Sequence, residues 1–308
     1  MKDAMNDAPS LAALSRRALL LGAAATAATA ALASSSRDAR ADGSTSARMP
    51  VAFLSHGSPR LPLDPVRSGD LRAWGKKLPK PRGIVVMTPH FGTRTLSLGP
   101  MHRGFGMYDM PGFIKKQLPQ DLDYPSPPSE ALGARIEQLI ASSRPEPVAH
   151  QQRRGFDHTT WMPLLYLYPP ADVPVVELSY PYRPEPALFA LGRELAPLRD
   201  EGILFVASGQ LTHNLASIDL EKTEAPPAWS REFDAWATET LAHEDLDAVV
   251  DWRHKAPAAD LAHPDDGGHF RVLIVALGIA AGSGGRAAAT FPVTGYESTM
   301  SRRCVQLG

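Results

Sequence analysis

Four short apolar runs, at 50–54, 83–88, 173–178 and 203–207, are separated by longer segments, and this spacing most limits the folds open to the chain. The runs are rich in β-branched residues and bounded by breakers: a Gly-Pro turn at 57–59 closes the first, and Pro81 and Pro89 bracket the second. Between and after them the apolar spacing predicts helices at 129–142, with Ser129 as N-cap, and at 185–198, 227–243 and 269–279. Residues 290–293 and 304–307 read as closing strands. This order predicts an α/β fold, a single domain with a central mixed sheet flanked by helices. With 29 prolines in the chain, 101–128 and 224–227 are expected to be ordered loops, and a loop as long as the first is expected to line a site.

The first forty residues do not fit that pattern. Residues 18–33 are 16 consecutive Ala, Leu, Gly and Thr residues, directly preceded by Arg16-Arg17, which is the layout of a twin-arginine export signal. The run falls short of the roughly 20 residues that span a bilayer as a helix. Ala39-Arg40-Ala41 offers an A-x-A cleavage site, and cleavage before Asp42 would leave 267 residues. The expected division is a signal at 1–41, a polar linker at 42–48 and a folded domain at 49–308; an uncleaved anchor or a true start at Met49 is the alternative. The signal implies the twin-arginine translocase as partner, a periplasmic or exported location, and no stable membrane insertion of the mature chain. Translocation of folded cargo suits a protein that acquires a cofactor before export.

Residues 42–308 carry 27 basic and 30 acidic side chains, a net charge of −3. The basic pairs (Lys76-Lys77, Lys115-Lys116, Arg153-Arg154, Arg302-Arg303) are scattered, so no nucleic-acid partner is expected. Cys304 is alone, which excludes an intramolecular disulfide and a thiolate metal cluster. CxxC, HExxH, P-loop and GxGxxG motifs are absent.

What stands out is where the histidines fall. His56, His90 and His213 each follow a predicted strand, and in an open α/β sheet the carboxyl ends of the strands form the edge where ligands bind. His269 opens a predicted helix after the turn 264–268, and His158, just before Trp161, opens another apolar segment. Imidazole is both a common metal ligand and the side chain whose proton chemistry lies nearest neutral pH. Taken singly, such a histidine is more often a surface or satisfied core residue than a ligand. His102, His150, His243, His254 and His263 read as surface, although His263 competes with His269 for one role. Ser58 is expected to cap its turn, and Asp157 either to orient His158 or to be an exposed loop acid.

Together these segments resemble the class III extradiol ring-cleavage dioxygenases of the DOPA-dioxygenase type. The resemblance runs from Met49 to Gly308 and is carried by Leu54-Ser-His-Gly-Ser-Pro59, Ile84-Val-Val-Met-Thr-Pro-His90, Tyr124-Pro-Ser-Pro127, Gly155-Phe-Asp-His-Thr-Thr-Trp161, Ala207-Ser-Gly-Gln-Leu-Thr-His-Asn214, residues 269–278 and Val305-Gln-Leu-Gly308. It implies a non-haem Fe(II) site, with Zn(II) in some members, at the carboxyl ends of the strands. His56, His90 and His269 would be ligands, His213 a fourth ligand or a base beside the metal, and His158 an acid–base group near the substrate. The substrates would be a small catechol and O2, and the product a ring-opened semialdehyde. The family's aromatic loop often reads His-Asp-Phe-x-Gly-Phe, whereas this chain has Tyr108-Asp-Met-Pro-Gly-Phe113, a departure that bears on the substrate.

Two other functions fit the same residues. A zinc-dependent hydrolase, with His158 as general base, would cleave esters or amides without O2. An exported metal- or phenol-binding protein would bind metal tightly and turn nothing over.

Overall fold

The computed structural model describes residues 48–109, 118, 122–144, 146–221, 225–282, 284 and 288–308. The expected signal, the linker apart from Arg48, Phe113 and the start of the 224–227 loop lie outside the described residues.

The predicted runs form the middle of one eight-stranded sheet of order β4-β3-β5-β2-β6-β1-β10-β7. Strands β1 (Val51–Ser55), β2 (Gly83–Thr93), β5 (Val175–Pro181) and β6 (Ile203–Gly209) are mutually parallel, with β6 between β1 and β2. β10 (Cys304–Leu307) adds antiparallel to β1, and β7 (Ala289–Val293) antiparallel to β10. Beyond β5, the two-residue strands β3 (Ser97–Leu98) and β4 (Ala149–His150) finish the sheet, and β8 (Tyr296–Glu297) and β9 (Met300–Ser301) form a separate ribbon. The sheet is therefore mixed, as expected.

The central strands are apolar on both sides because both faces are covered. Val51 and Phe53, Val85 and Met87, and Phe205 and Ala207 pack against α2 (Glu130–Ala141), α4 (Glu185–Leu195), α5 (Ala228–Ala242) and α9 (Gly268–Gly282). The alternate residues Ala52, Leu54, Ile84, Val86, Leu204 and Val206 pack against α1 (Pro65–Gly75) and α3 (His158–Leu167). Residues 268–280 of α9 are buried throughout, so its apolar run lacks the one-sided stripe of a surface helix. Three short helices, α6 (Leu246–Val250), α7 (Trp252–Lys255) and α8 (Ala259–Ala262), lead into it.

Several boundaries differ from expectation. β2 does not stop before Pro89 but runs to Thr93: its pairing with β5 jumps from Thr88↔Ser179 to Gly92↔Tyr180, so residues 89–91 bulge out and Pro89 needs no ladder partner. The α-helix expected to reach 198 ends at Leu195 and tightens into a 3₁₀ turn at Ala196–Arg199, which contains Pro197. Helix α1 was not expected, although Asp64-Pro65 is a start signal: the Asp64 carboxylate accepts from the N–H groups of Val66 at 3.0 Å and Arg67 at 2.9 Å. Among the described residues no helix is long and apolar enough to cross a membrane.

Candidate active site

β1, β6 and β2 deliver three of the histidines to one edge. His56 directly follows β1, and its backbone N–H continues the ladder by donating to Gly209 O at 3.2 Å. Gly57 takes φ +70°, a left-handed turn that suits glycine, so the chain reverses immediately after His56. His90 lies in the β2 bulge rather than after the strand, which corrects the expected placement; the extra residues push it out of the sheet toward the edge. His213 lies four residues beyond β6. His269 is brought in by close docking of α9 on the end of β6, where its carbonyl accepts from Gln210 N at 2.9 Å. A Cβ at Gly209 would lie 2.1 Å from that carbonyl oxygen, so only glycine permits the approach.

The rings of His56, His90 and His269 lie with centroids 5.3–5.7 Å apart, and one nitrogen of each falls within 4.8 Å of the others. His90 Nε2 and His269 Nε2 face each other at 3.3 Å. Two nitrogens bound to one tetrahedral ion at ordinary metal–imidazole distances would be about 3.4 Å apart, so the spacing fits a shared ion. His56 Nδ1 is 2.9 Å from Gly57 O and donates to it, which leaves Nε2 as a lone pair; that atom is buried with no hydrogen-bond partner. A buried acceptor without a partner is costly unless a cation meets it, so these residues fit a bound metal. Burial holds His56 and His269 well below the usual imidazole range, and the neighbouring imidazoles push the same way. Burial also lowers His90, partly opposed by Asp157. The cluster is therefore neutral at neutral pH, the state that binds a metal.

His213 is set apart from that trio. It stacks on His269 with centroids 3.5 Å apart and planes 13° apart, and shares a ligand-competent grouping with Asp265 and His269. Lone pairs of stacked rings lie in parallel planes, so one ion takes both only after His213 turns. Burial lowers His213 to about 4, opposed by Asp265.

His158 is the first residue of α3 and is buried, its ring 4.8 Å from that of His90. The expected candidate for orienting it, Asp157, does something else. Asp157 is the N-cap of α3, accepting from Thr159 N at 3.0 Å, and it pairs with Arg154 at 2.6 Å; it is neither an exposed acid nor bonded to the His158 ring. Asp109 takes that part, at 2.9 Å from His158 Nδ1 and 3.1 Å from its backbone N. Burial would raise the Asp109 carboxyl, but the hydrogen bond and charge of His158 outweigh this and hold it below the usual range. Asp109 lies in the Tyr108-Asp-Met segment compared with the family loop, so its position was visible but not its partner.

One further expectation is corrected. His263 is not at the surface: it is fully buried among Phe233, Trp252 and Phe270, with Nε2 2.8 Å from Leu211 O. Packing, rather than the site, accounts for it. Ser58 does brace its turn, accepting from Arg60 N at 3.2 Å, but it also donates to Glu297. Sequence reading overlooked Glu177, which sits fully buried in β5 within a run taken as purely apolar.

Comparisons with known proteins point to one family. Residues 53–300 match the family described as the catalytic LigB subunit of aromatic ring-opening dioxygenase. The chain is 35% identical over 272 residues to a 4,5-DOPA dioxygenase extradiol of Escherichia coli strain K12, covering 86% of this chain and 96% of that protein. It is also 35% identical over 233 residues to the enzyme of the same name from Beta vulgaris, covering 74% and 85% of the two chains. The crystal structure of an uncharacterized Escherichia coli K12 protein superposes with a TM-score of 0.70 at 32% identity, over 85% of this chain and all of that one. Family, relatives and fold agree with one another, and the chain belongs to the LigB family of aromatic ring-opening dioxygenases as a class III extradiol dioxygenase.

Proposed function

We propose that this enzyme holds one ferrous ion on His56, His90 and His269 and uses O2 to open a catechol ring beside its two hydroxyls. The observation that carries the reading is the buried, unpartnered Nε2 of His56 facing two further imidazoles. Bound there, ferrous iron would supply open coordination positions and redox chemistry that zinc, a d¹⁰ ion, lacks.

The chain's own residues then handle protons. His213, neutral because burial lowers it, is the fourth ligand or the base that takes a catechol proton. His158 has Nδ1–H committed to Asp109, which leaves Nε2 as the atom that accepts or returns a proton. Both atoms of O2 end in the semialdehyde product, so no external reductant is needed.

The test is to load the protein with iron anaerobically and screen catechols such as DOPA, protocatechuate and caffeate in an O2 electrode. Uptake of one O2 per catechol with a yellow product is expected. No uptake across the panel at verified iron occupancy would overturn the reading. We also infer export through the twin-arginine translocase, on the strength of Arg16-Arg17 and the apolar run that follows.

A further inference from the structure

A buried ionic network joins the two elements that carry His90 and His158. Arg154 precedes α3, and its guanidinium makes contacts in three directions. Nε donates to Glu177 Oε2 at 3.2 Å, Nη2 to Asp157 Oδ2 at 2.6 Å, and Nη2 also reaches His90 O at 3.5 Å. Its face lies over the Phe91 ring, 4.4 Å from the centroid. Glu177, anchored on β5, accepts from Asp157 N at 3.1 Å with its other oxygen. Both carboxyl groups are at most 1% exposed, and burial together with the charge of Asp157 pushes Glu177 up, with Arg154 opposing.

A second path runs beside the first. His90 N donates to Thr88 Oγ1 at 3.2 Å, and Thr88 Oγ1 lies 2.7 Å from Thr159 Oγ1, which donates to Asp157 Oδ1. With each hydroxyl giving one proton, this chain runs in one direction from the bulge to the cap of α3. Both paths therefore end on Asp157, the residue immediately before His158.

We propose that Arg154, clamped by Glu177 and Asp157, is a positioning residue that sets His158 against His90. A bulge and a helix start are each free to shift in ways a regular ladder is not, and no ladder hydrogen bond holds residues 89–91 to β5. The planar guanidinium meets two carboxyl groups and a carbonyl while stacking on a ring; a lysine ammonium keeps the charge but not that set of contacts. Removing the fork while keeping the charge should let the two histidines drift apart without emptying the metal site.

The inference rests on the reading of His158 as an acid–base group. The experiment uses the full chain loaded with iron, comparing wild type, Arg154→Lys, Glu177→Gln and Arg154→Ala with and without guanidinium. Arg154→Lys is expected to keep its metal and its KM for catechol within about threefold while kcat falls about 10- to 100-fold, the scale of a misplaced catalytic group. Glu177→Gln, which keeps the shape of the clamp, should lie between it and wild type, and guanidinium should restore part of the kcat of Arg154→Ala. In the metal-free proteins, long-range ¹H–¹⁵N spectra should show one sharp His158 tautomer in wild type and a broadened or mixed signal in Arg154→Lys. Wild-type kcat in Arg154→Lys, or an unchanged His158 signal, would overturn the proposal. If wild type itself turns over no catechol, the functional reading fails, and the spectra still decide the positioning role.

Discussion

Asp109 holds His158 at two points, accepting from its backbone N–H at 3.1 Å and from ring Nδ1 at 2.9 Å. One carboxylate thereby sets both where the residue enters α3 and which nitrogen carries the ring proton. Asp109→Asn keeps the shape but can present an amide N–H to Nδ1, favouring the wrong tautomer. We expect kcat to fall about 100-fold or more with metal content unchanged, measured by turnover alongside metal analysis.

Ligation and proton transfer should separate by mutation. His56→Ala removes a nitrogen that faces the shared ion position, so iron content should drop along with activity. His158→Gln should leave iron bound and abolish turnover. Stoichiometry by metal analysis after gel filtration discriminates the two, and equal metal loss in both would contradict the division of roles.

A proline inside α3 makes a third test. Pro163 lacks the N–H that would bond to the Thr159 carbonyl four residues earlier, and Ser208 Oγ, from β6, donates to that carbonyl at 2.6 Å instead. Ser208→Ala should leave a buried carbonyl unpaired and cost about 1–3 kcal/mol in urea unfolding. In the background of Pro163→Ala, where residue 163 regains its N–H, the same change should cost measurably less.

His263 sets a pH dependence away from the metal cluster. Burial lowers it to about 4, against an ordinary 6.5, with the Leu211 carbonyl opposing the shift. Because its folded-state value is depressed, its contribution is full above pH 6.5 and is lost as pH falls toward 4. The linked change is about 3 kcal/mol. Unfolding free energies of metal-free wild type should therefore drop more steeply over that window than those of His263→Gln. Parallel curves would count against a buried neutral His263.

Export has its own readout. Replacing Arg16 and Arg17 together by Lys should retain the chain in the cytoplasm, whereas the unaltered chain should be recovered in the periplasmic fraction without its first 41 residues. N-terminal sequencing of the exported form locates the cut, and unchanged periplasmic recovery of the double variant would exclude this route.

The sequence by itself determined the α/β order and the edge at which the histidines meet. Short β-branched runs closed by Gly and Pro are local signals, and a histidine directly after a buried strand such as β1 can only emerge at that strand's carboxyl end. The same local logic stops where two distant segments must meet. Asp109 and His158 are 49 residues apart, and Glu177 lies 23 residues beyond Arg154, so neither pair leaves a spacing to read. His263 and His269 look alike as residues near one turn, yet packing against Phe233 and Trp252 buries one, while docking of α9 onto Gly209 delivers the other to the metal edge. Backbone periodicity fixes which face or edge a residue reaches. Which partner it finds there depends on how the layers close, and only the tertiary structure decided that the acid beside His158 would be Asp109 and that Asp157 would cap the helix.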